Sequence, residues 1–124
     1  MRKPDPRDHI PLSPYDFEIL LALLVTPRHG YSIIREIERR TGGEVVLGTS
    51  TLYAAVQRLV KSGLLEESEP PPEHISPDER RRYYRATAFG REVASLEAAR
   101  IRRLEKRLLT SPVRDLQPGP GAVE

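Results

Sequence analysis

The sequence predicts a mainly α fold carrying a small β-hairpin: three short helices, two strands and one long final helix, in that order. Three observations predict it. Apolar residues recur at helical spacing in four stretches. Helix starts and stops are marked at Ser13-Pro14, Gly42-Gly43, Gly63 and Thr87. Two short extended runs flank a proline-rich turn between the third and fourth helical stretches.

Each element has its own local signal. Ser13 is a good N-cap, Pro14 suits the first helical position, and Asp16 favours the positive end of the helix. Phe17, Leu20, Leu21 and Leu24 then form one apolar stripe, and Ile19 and Leu23 a second. A helix apolar on two sides is sandwiched, either in its own core or against a partner chain. Pro27 closes it, and Gly30 permits a tight turn into a second helix, Tyr31 to about Arg40, with Tyr31, Ile33, Ile34 and Ile37 apolar. Gly42 is a plausible left-handed cap for that helix.

The third helix is expected from about Thr49 or Ser50 to Ser62, capped by Gly63. Leu52, Val56, Leu59 and Val60 make its apolar face. The opposite face holds Ser50, Thr51, Tyr53, Ala54, Gln57, Arg58 and Lys61, with no carboxylate. LLEES and RRRYYRAT read as two strands around the loop EPPPEHISPDE. Tyr83 and Tyr84 alternate across the second strand, so one is expected inside and one outside, with Tyr84, in phase with Ala86, as the inner one. Thr87 caps a last helix from about Ala88 to Leu109, roughly 30 Å long. It carries Val93, Leu96, Ile101, Leu104 and Leu108 among Arg and Glu, the pattern of a pairing helix without a strict heptad.

The 124 residues suit one domain with a modest core. The division expected is a flexible arm (1–12), a DNA-binding domain (13–86), a dimerisation helix (87–110) and a disordered tail (111–124). Charged residues make up 31% and the net charge is only +2, so total charge says little about partners. The absence of Cys excludes a disulfide scaffold and a Cys-ligated zinc site. His9, His29 and His74 are scattered, which makes no metal site, and no cofactor is expected. His29 reads as a loop or helix-start residue with a structural hydrogen bond. The N-terminus lacks a signal-peptide pattern, and the apolar run Ile19 to Val25 is too short to span a bilayer. A cytoplasmic protein with no membrane segment is expected.

Three helices followed by a hairpin is the winged helix-turn-helix order. The third helix would enter the major groove and the hairpin, or wing, would reach phosphates or the minor groove. The charge distribution agrees. Arg80, Arg81, Arg82 and Arg85 fall within six residues that hold no acid, and Arg58 and Lys61 lie on the third helix. Thr49, Ser50 and Thr51 sit at that helix's N-terminus, where free amides attract phosphate, although ordinary capping explains them too. Tyr53 suits a sugar or phosphate contact; the plainer reading packs it on the preceding helix. For the wing arginines the plainer reading is pairing with Glu66 and Glu67 across the hairpin.

The stretch HGYSIIREIERRTGGEVVLGTSTLYAAVQRLVKSGLLEE, followed by RRRYYRATAFGRE, resembles the PadR family of transcriptional regulators over roughly residues 13 to 105. The resemblance implies a homodimer that binds palindromic operator DNA and represses, with the C-terminal helix paired against the partner. It also implies a small-molecule effector of unknown identity, bound near the dimer interface. The family commonly has TPEG at the start of the last helix, where this chain has Thr87-Ala88-Phe89-Gly90. The chain ends soon after one pairing helix, as in the family's shorter members. No nucleophile and base pair, phosphate loop or shared-face carboxylate pair supports an enzyme. The remaining alternative is a winged helix used for protein–protein contact without DNA.

Overall fold

The computed structural model describes residues 3–72 and 81–119. Four α-helices and a three-stranded antiparallel sheet follow one another: α1 Pro14–Ala22, β1 Arg28–His29, α2 Gly30–Arg40, α3 Thr49–Lys61, β2 Leu65–Ser68, β3 Tyr83–Ala86 and α4 Ala88–Leu109. Single-turn 3-10 helices at Pro6–His9 and Pro112–Asp115 flank them.

The expected caps hold. The Ser13 hydroxyl accepts from the Asp16 amide at 3.1 Å, and the Thr87 hydroxyl accepts from the Gly90 amide at 2.9 Å. Gly42 and Gly63 sit at φ +63° and +84°, the left-handed conformation that ends a helix cheaply only at glycine. His29 caps α2, its Nδ1 accepting from the Ser32 amide at 3.2 Å. The first helix stops at Ala22, earlier than Pro27 requires, and the Arg28 Nε donates to the orphan Ala22 carbonyl at 2.9 Å.

The core is continuous through all four helices. Ile19 and Leu20 of α1 and its C-cap Leu23 are fully enclosed in one cluster with Ile33, Ile37, Leu52, Val56 and Val93 from the other helices and with Leu64 and Leu65 at the sheet. The second stripe, Ile19 and Leu23, is thus buried within one chain together with Leu20, while Phe17, Leu21 and Leu24 are half-buried. Val93 belongs to the same core with 0% exposure, which corrects its assignment to a dimer interface. Its position near the start of α4 places it in the core, while that helix is exposed along its whole length from residue 101 onward.

The sheet has one strand more than expected. Order β1-β3-β2 puts β3 in the middle, with Arg28 opposite Tyr84 and His29 opposite Tyr83. Both tyrosines are buried, contrary to the one-in, one-out expectation. Tyr84 joins the main core as expected. Tyr83, on the other side, is covered because β1 brings the His29 ring edge-on to it, with ring centres 5.3 Å apart.

The N-terminal segment expected as a loose arm is docked where it is described. The Leu12 amide donates to Glu97 Oε2 at 2.8 Å, and the His9 ring meets Phe89 edge-on at 5.2 Å. Glu97 is buried in α4 and also bonded to Arg100, a fixed polar anchor that residue spacing did not reveal.

Candidate nucleic-acid interface

The third helix presents a polar, acid-free surface. Its residues Thr49, Ser50, Thr51, Tyr53, Gln57, Arg58 and Lys61 are all exposed, while Leu52, Ala55, Val56 and Leu59 face the core. The cap position is Gly48, and no side chain caps the helix, whereas Ser13, His29 and Thr87 cap α1, α2 and α4. The first amides of α3 therefore open outward beside three hydroxyl side chains, at the positive end of the helix dipole.

Arg58 differs from its neighbours. Its guanidinium grips the buried Asp16 carboxylate in two bonds, at 3.1 and 3.4 Å, tying α3 to α1. The side chain stays partly in solvent, but the fork is occupied by a structural partner. The pairing gives Arg58 a structural role in orienting the helix beside the DNA contact expected of it.

Tyr53 stands at the junction of α3 with the start of α2. A β-carbon on Gly30 would collide with its ring and hydroxyl, so the tyrosine holds this position only while residue 30 has no side chain. The tyrosine remains 42% exposed. Its packing on the preceding helix and its outward presentation are both present.

The wing arginines divide by strand alternation. Arg82, in phase with Tyr84, borders a groove of about 640 Å³ shared with Tyr53, Gln57 and Lys61 of α3. Arg85, in phase with Tyr83, lines a different hollow with Thr26, Pro27 and Ser68. Arg85 Nε reaches its register partner Glu66 at 2.8 Å, and Arg82 lies 3.5 Å from Glu67. The cross-hairpin pairs expected on the plainer reading are thus formed. Both are solvent-exposed, where such pairs contribute at most about 1 kcal/mol and exchange readily for another anion. Arg81 Nη1 lies 3.1 Å from His29 Nε2. Arg80 and His74 lie outside the described residues.

On α4 the exposed apolar side chains are Ile101, Leu104, Leu108 and Leu109, with Leu96 half-buried where the helix leaves the domain. Ile101, Leu104 and Leu108 stand at helical spacing on a helix whose every residue from 101 onward is exposed in the single chain. Among the described residues no helix is long and apolar enough to cross a membrane.

Comparison with known proteins agrees with this architecture. A transcriptional regulator from Clostridium thermocellum superposes with a TM-score of 0.65 at 25% identity, over 86% of this chain and 92% of that one. A PadR family transcription regulator from Clostridium difficile R20291 gives 0.64 at 24% identity, over 77% and 94%. Bacillus subtilis PadR, solved in complex with operator DNA, shares the fold at a TM-score of 0.55 and 18% identity, over 92% of this chain and 54% of its own. The sequence model of the transcriptional regulator PadR-like family matches residues 19–96, more than half of the sequence. With its winged-helix architecture and this match, the chain belongs to the PadR-like family of transcriptional regulators.

Proposed function

We propose that the protein binds double-stranded operator DNA as a homodimer and represses transcription, with α3 in the major groove and the wing on the backbone. The observation that carries this reading is the outward face of α3. Thirteen residues without a carboxylate present hydroxyls, Gln57 and Lys61 beside an uncapped helix N-terminus. A helix of that length, about 20 Å, fits the groove, and Gln57 is suited to a bidentate contact with adenine. Thr49, Ser50 and Thr51, with their amides, suit a phosphate. Arg82 flanks the same surface, whereas Arg85 lines a separate hollow.

The dimer is supported by the apolar stripe Ile101, Leu104 and Leu108, which stays 37–43% exposed in the single chain. Two copies joined there would present two third helices to one face of DNA, so the operator should be a pseudo-palindrome with half-sites near multiples of about 10–10.5 base pairs. Selection of bound duplexes from a random pool tests both statements. Enrichment of a two-fold symmetric site is the expected outcome. A pool that shows no enrichment and no retardation at low salt would favour the protein-contact alternative and sink this one. Repression is tested by placing the selected site between a promoter and a reporter.

A further inference from the structure

The chain's positive charge is concentrated where the proposed function does not use it. Residues 100–109 of α4 hold five of the twenty Lys and Arg and one of the eighteen Asp and Glu, so the rest of the sequence carries a net charge of −2. Arg100 is tied to Glu97. Arg102, Arg103, Lys106 and Arg107 are exposed and, among the described residues, make no ion pair or side-chain hydrogen bond. At about 100° per residue all four fall on the side of the helix opposite Ile101, Leu104 and Leu108. Glu105, the one acid of the stretch, stands beside that apolar stripe instead.

The fold gains little from this arrangement. Arg102 with Lys106, and Arg103 with Arg107, are like charges one turn apart, a spacing that weakens a helix. The helix dipole favours only the two in the last turn, Lys106 and Arg107. Together the two rows form a ridge of four cations, with about 6 Å along the axis between the members of each row. Three are Arg, whose planar fork grips phosphate and whose charge does not titrate away. No aromatic or large apolar side chain stands between the rows, so the anchor that a protein partner would bury is missing. Insertion into a membrane surface needs the apolar stripe, which the proposed dimer occupies.

Resting on the reading of a DNA-binding dimer, we propose that this ridge holds the phosphate backbone of a second duplex, independently of its sequence, so that one dimer joins two segments of DNA. The ridge stands apart from the reading face. Helix α4 packs mainly on α1 and the N-terminal turn. The four cations begin about 22 Å along it from Thr87, the residue that bonds to Gly63 just past the end of α3.

The test uses two duplexes of about 30 base pairs and unrelated sequence, one biotinylated on streptavidin beads and one fluorescein-labelled in solution. At low salt the wild type should retain the labelled duplex on the beads. Retention should fall about tenfold for each doubling of salt if all four cations of one ridge touch phosphate. The variant carrying Arg102→Gln, Arg103→Gln, Lys106→Gln and Arg107→Gln should bind a single duplex in anisotropy within about twofold of wild type, yet retain about tenfold less of the second or lower still. Should it lose its fold or its dimer, by circular dichroism or light scattering, Arg103→Gln with Arg107→Gln should show the same loss with about half the salt slope remaining. Equal retention by either folded variant, or a wild type that binds one duplex and retains no second, overturns the ridge alone. So does a variant whose single-duplex affinity falls in step with its retention, since the ridge then touches the duplex read by α3. A wild type that holds poly-glutamate or phosphatidylglycerol vesicles but no second duplex overturns it in favour of a protein or a membrane. A wild type that binds no duplex at all overturns the DNA-binding reading with it.

Discussion

Gly30 and Tyr53, twenty-three positions apart, occupy one another's space: the hydroxyl end of the tyrosine lies where a β-carbon on the glycine would be. A second glycine, Gly90, is confined in a different way, because its β-carbon would strike the backbone carbonyl of Leu64. The two substitutions to Ala should therefore differ. In Gly30→Ala the obstacle is the end of a half-exposed side chain, which can swing aside. Stability should fall by less than about 1 kcal/mol while DNA affinity drops through displacement of Tyr53. In Gly90→Ala the obstacle is main chain, and about 1–3 kcal/mol or more should be lost. Urea unfolding beside anisotropy separates the cases; equal stability losses would contradict the distinction.

Arg58→Ala is expected to act on stability first. It strands the Asp16 carboxylate, which is buried, without its partner. The guanidinium is more than half exposed, so the loss should be about 1–3 kcal/mol and below that of a fully enclosed pair. Asp16→Asn should recover part of the loss in the double variant, because it removes the stranded charge. An Arg58→Ala protein of wild-type stability but reduced DNA affinity would assign the residue to direct contact instead.

Acid should loosen the N-terminal segment. The Glu97 carboxyl is held below its usual range, chiefly by its hydrogen bond to Arg100, with the Leu12 amide assisting against the cost of burial. A carboxylate whose folded value is depressed contributes stability above its unfolded pKa of about 4.3 and loses it as pH falls through the folded value. Glu36, held low chiefly by Arg39, acts in the same direction, so wild-type unfolding alone does not isolate Glu97. The difference between wild type and Glu97→Gln does. It should be about 1–3 kcal/mol near pH 7 and shrink below pH ~4. A pH-independent difference would place the effect in packing.

Leu104→Asp and Val93→Asp should fail at different levels. Leu104 is 37% exposed in the single chain, so a carboxylate there leaves the fold intact and abolishes the proposed dimer. Val93 is fully enclosed, and a charge in its place should unfold the chain. Light scattering with circular dichroism reads both. A wild-type protein that is monomeric at micromolar concentration would dispose of the pairing role of α4.

Arg82→Ala should make the salt dependence of DNA binding shallower by about 0.9 per chain. Arg85→Ala should change it less, since Arg85 lies on the other side of β3 with Glu66. Equal changes in slope would show that strand alternation does not sort the wing.

The helices were legible because their signals are local. Ser13, Gly42, Gly63 and Thr87 act within one turn of themselves, and α4 begins and ends where its cap and apolar spacing indicate. Strand β1 was not legible, because two residues carry no period; Arg28 and His29 are extended only through their pairing with Tyr84 and Tyr83. The docked N-terminal segment escaped for a similar reason, since Leu12 and Glu97 meet across 85 positions. On α3 the outward face was readable from helical spacing. The engagement of Arg58 with Asp16 was not, because a charge on an exposed face looks alike whether or not it reaches a buried acid.

Helix α4 is anchored at one end only. Thr87 bonds back to the Gly63 and Leu64 carbonyls where α3 ends, Val93 and Glu97 fix the next turns, and the remainder projects free of the domain. In the proposed dimer it is a lever with its fulcrum beside the reading helix. Its 22 residues span about 33 Å, so a tilt of about 6° sweeps its ends past each other by one base-pair step of about 3.4 Å. The distance between half-sites then becomes a ruler for the angle between the two levers, and whatever wedges or relaxes that angle changes which operators the protein can straddle.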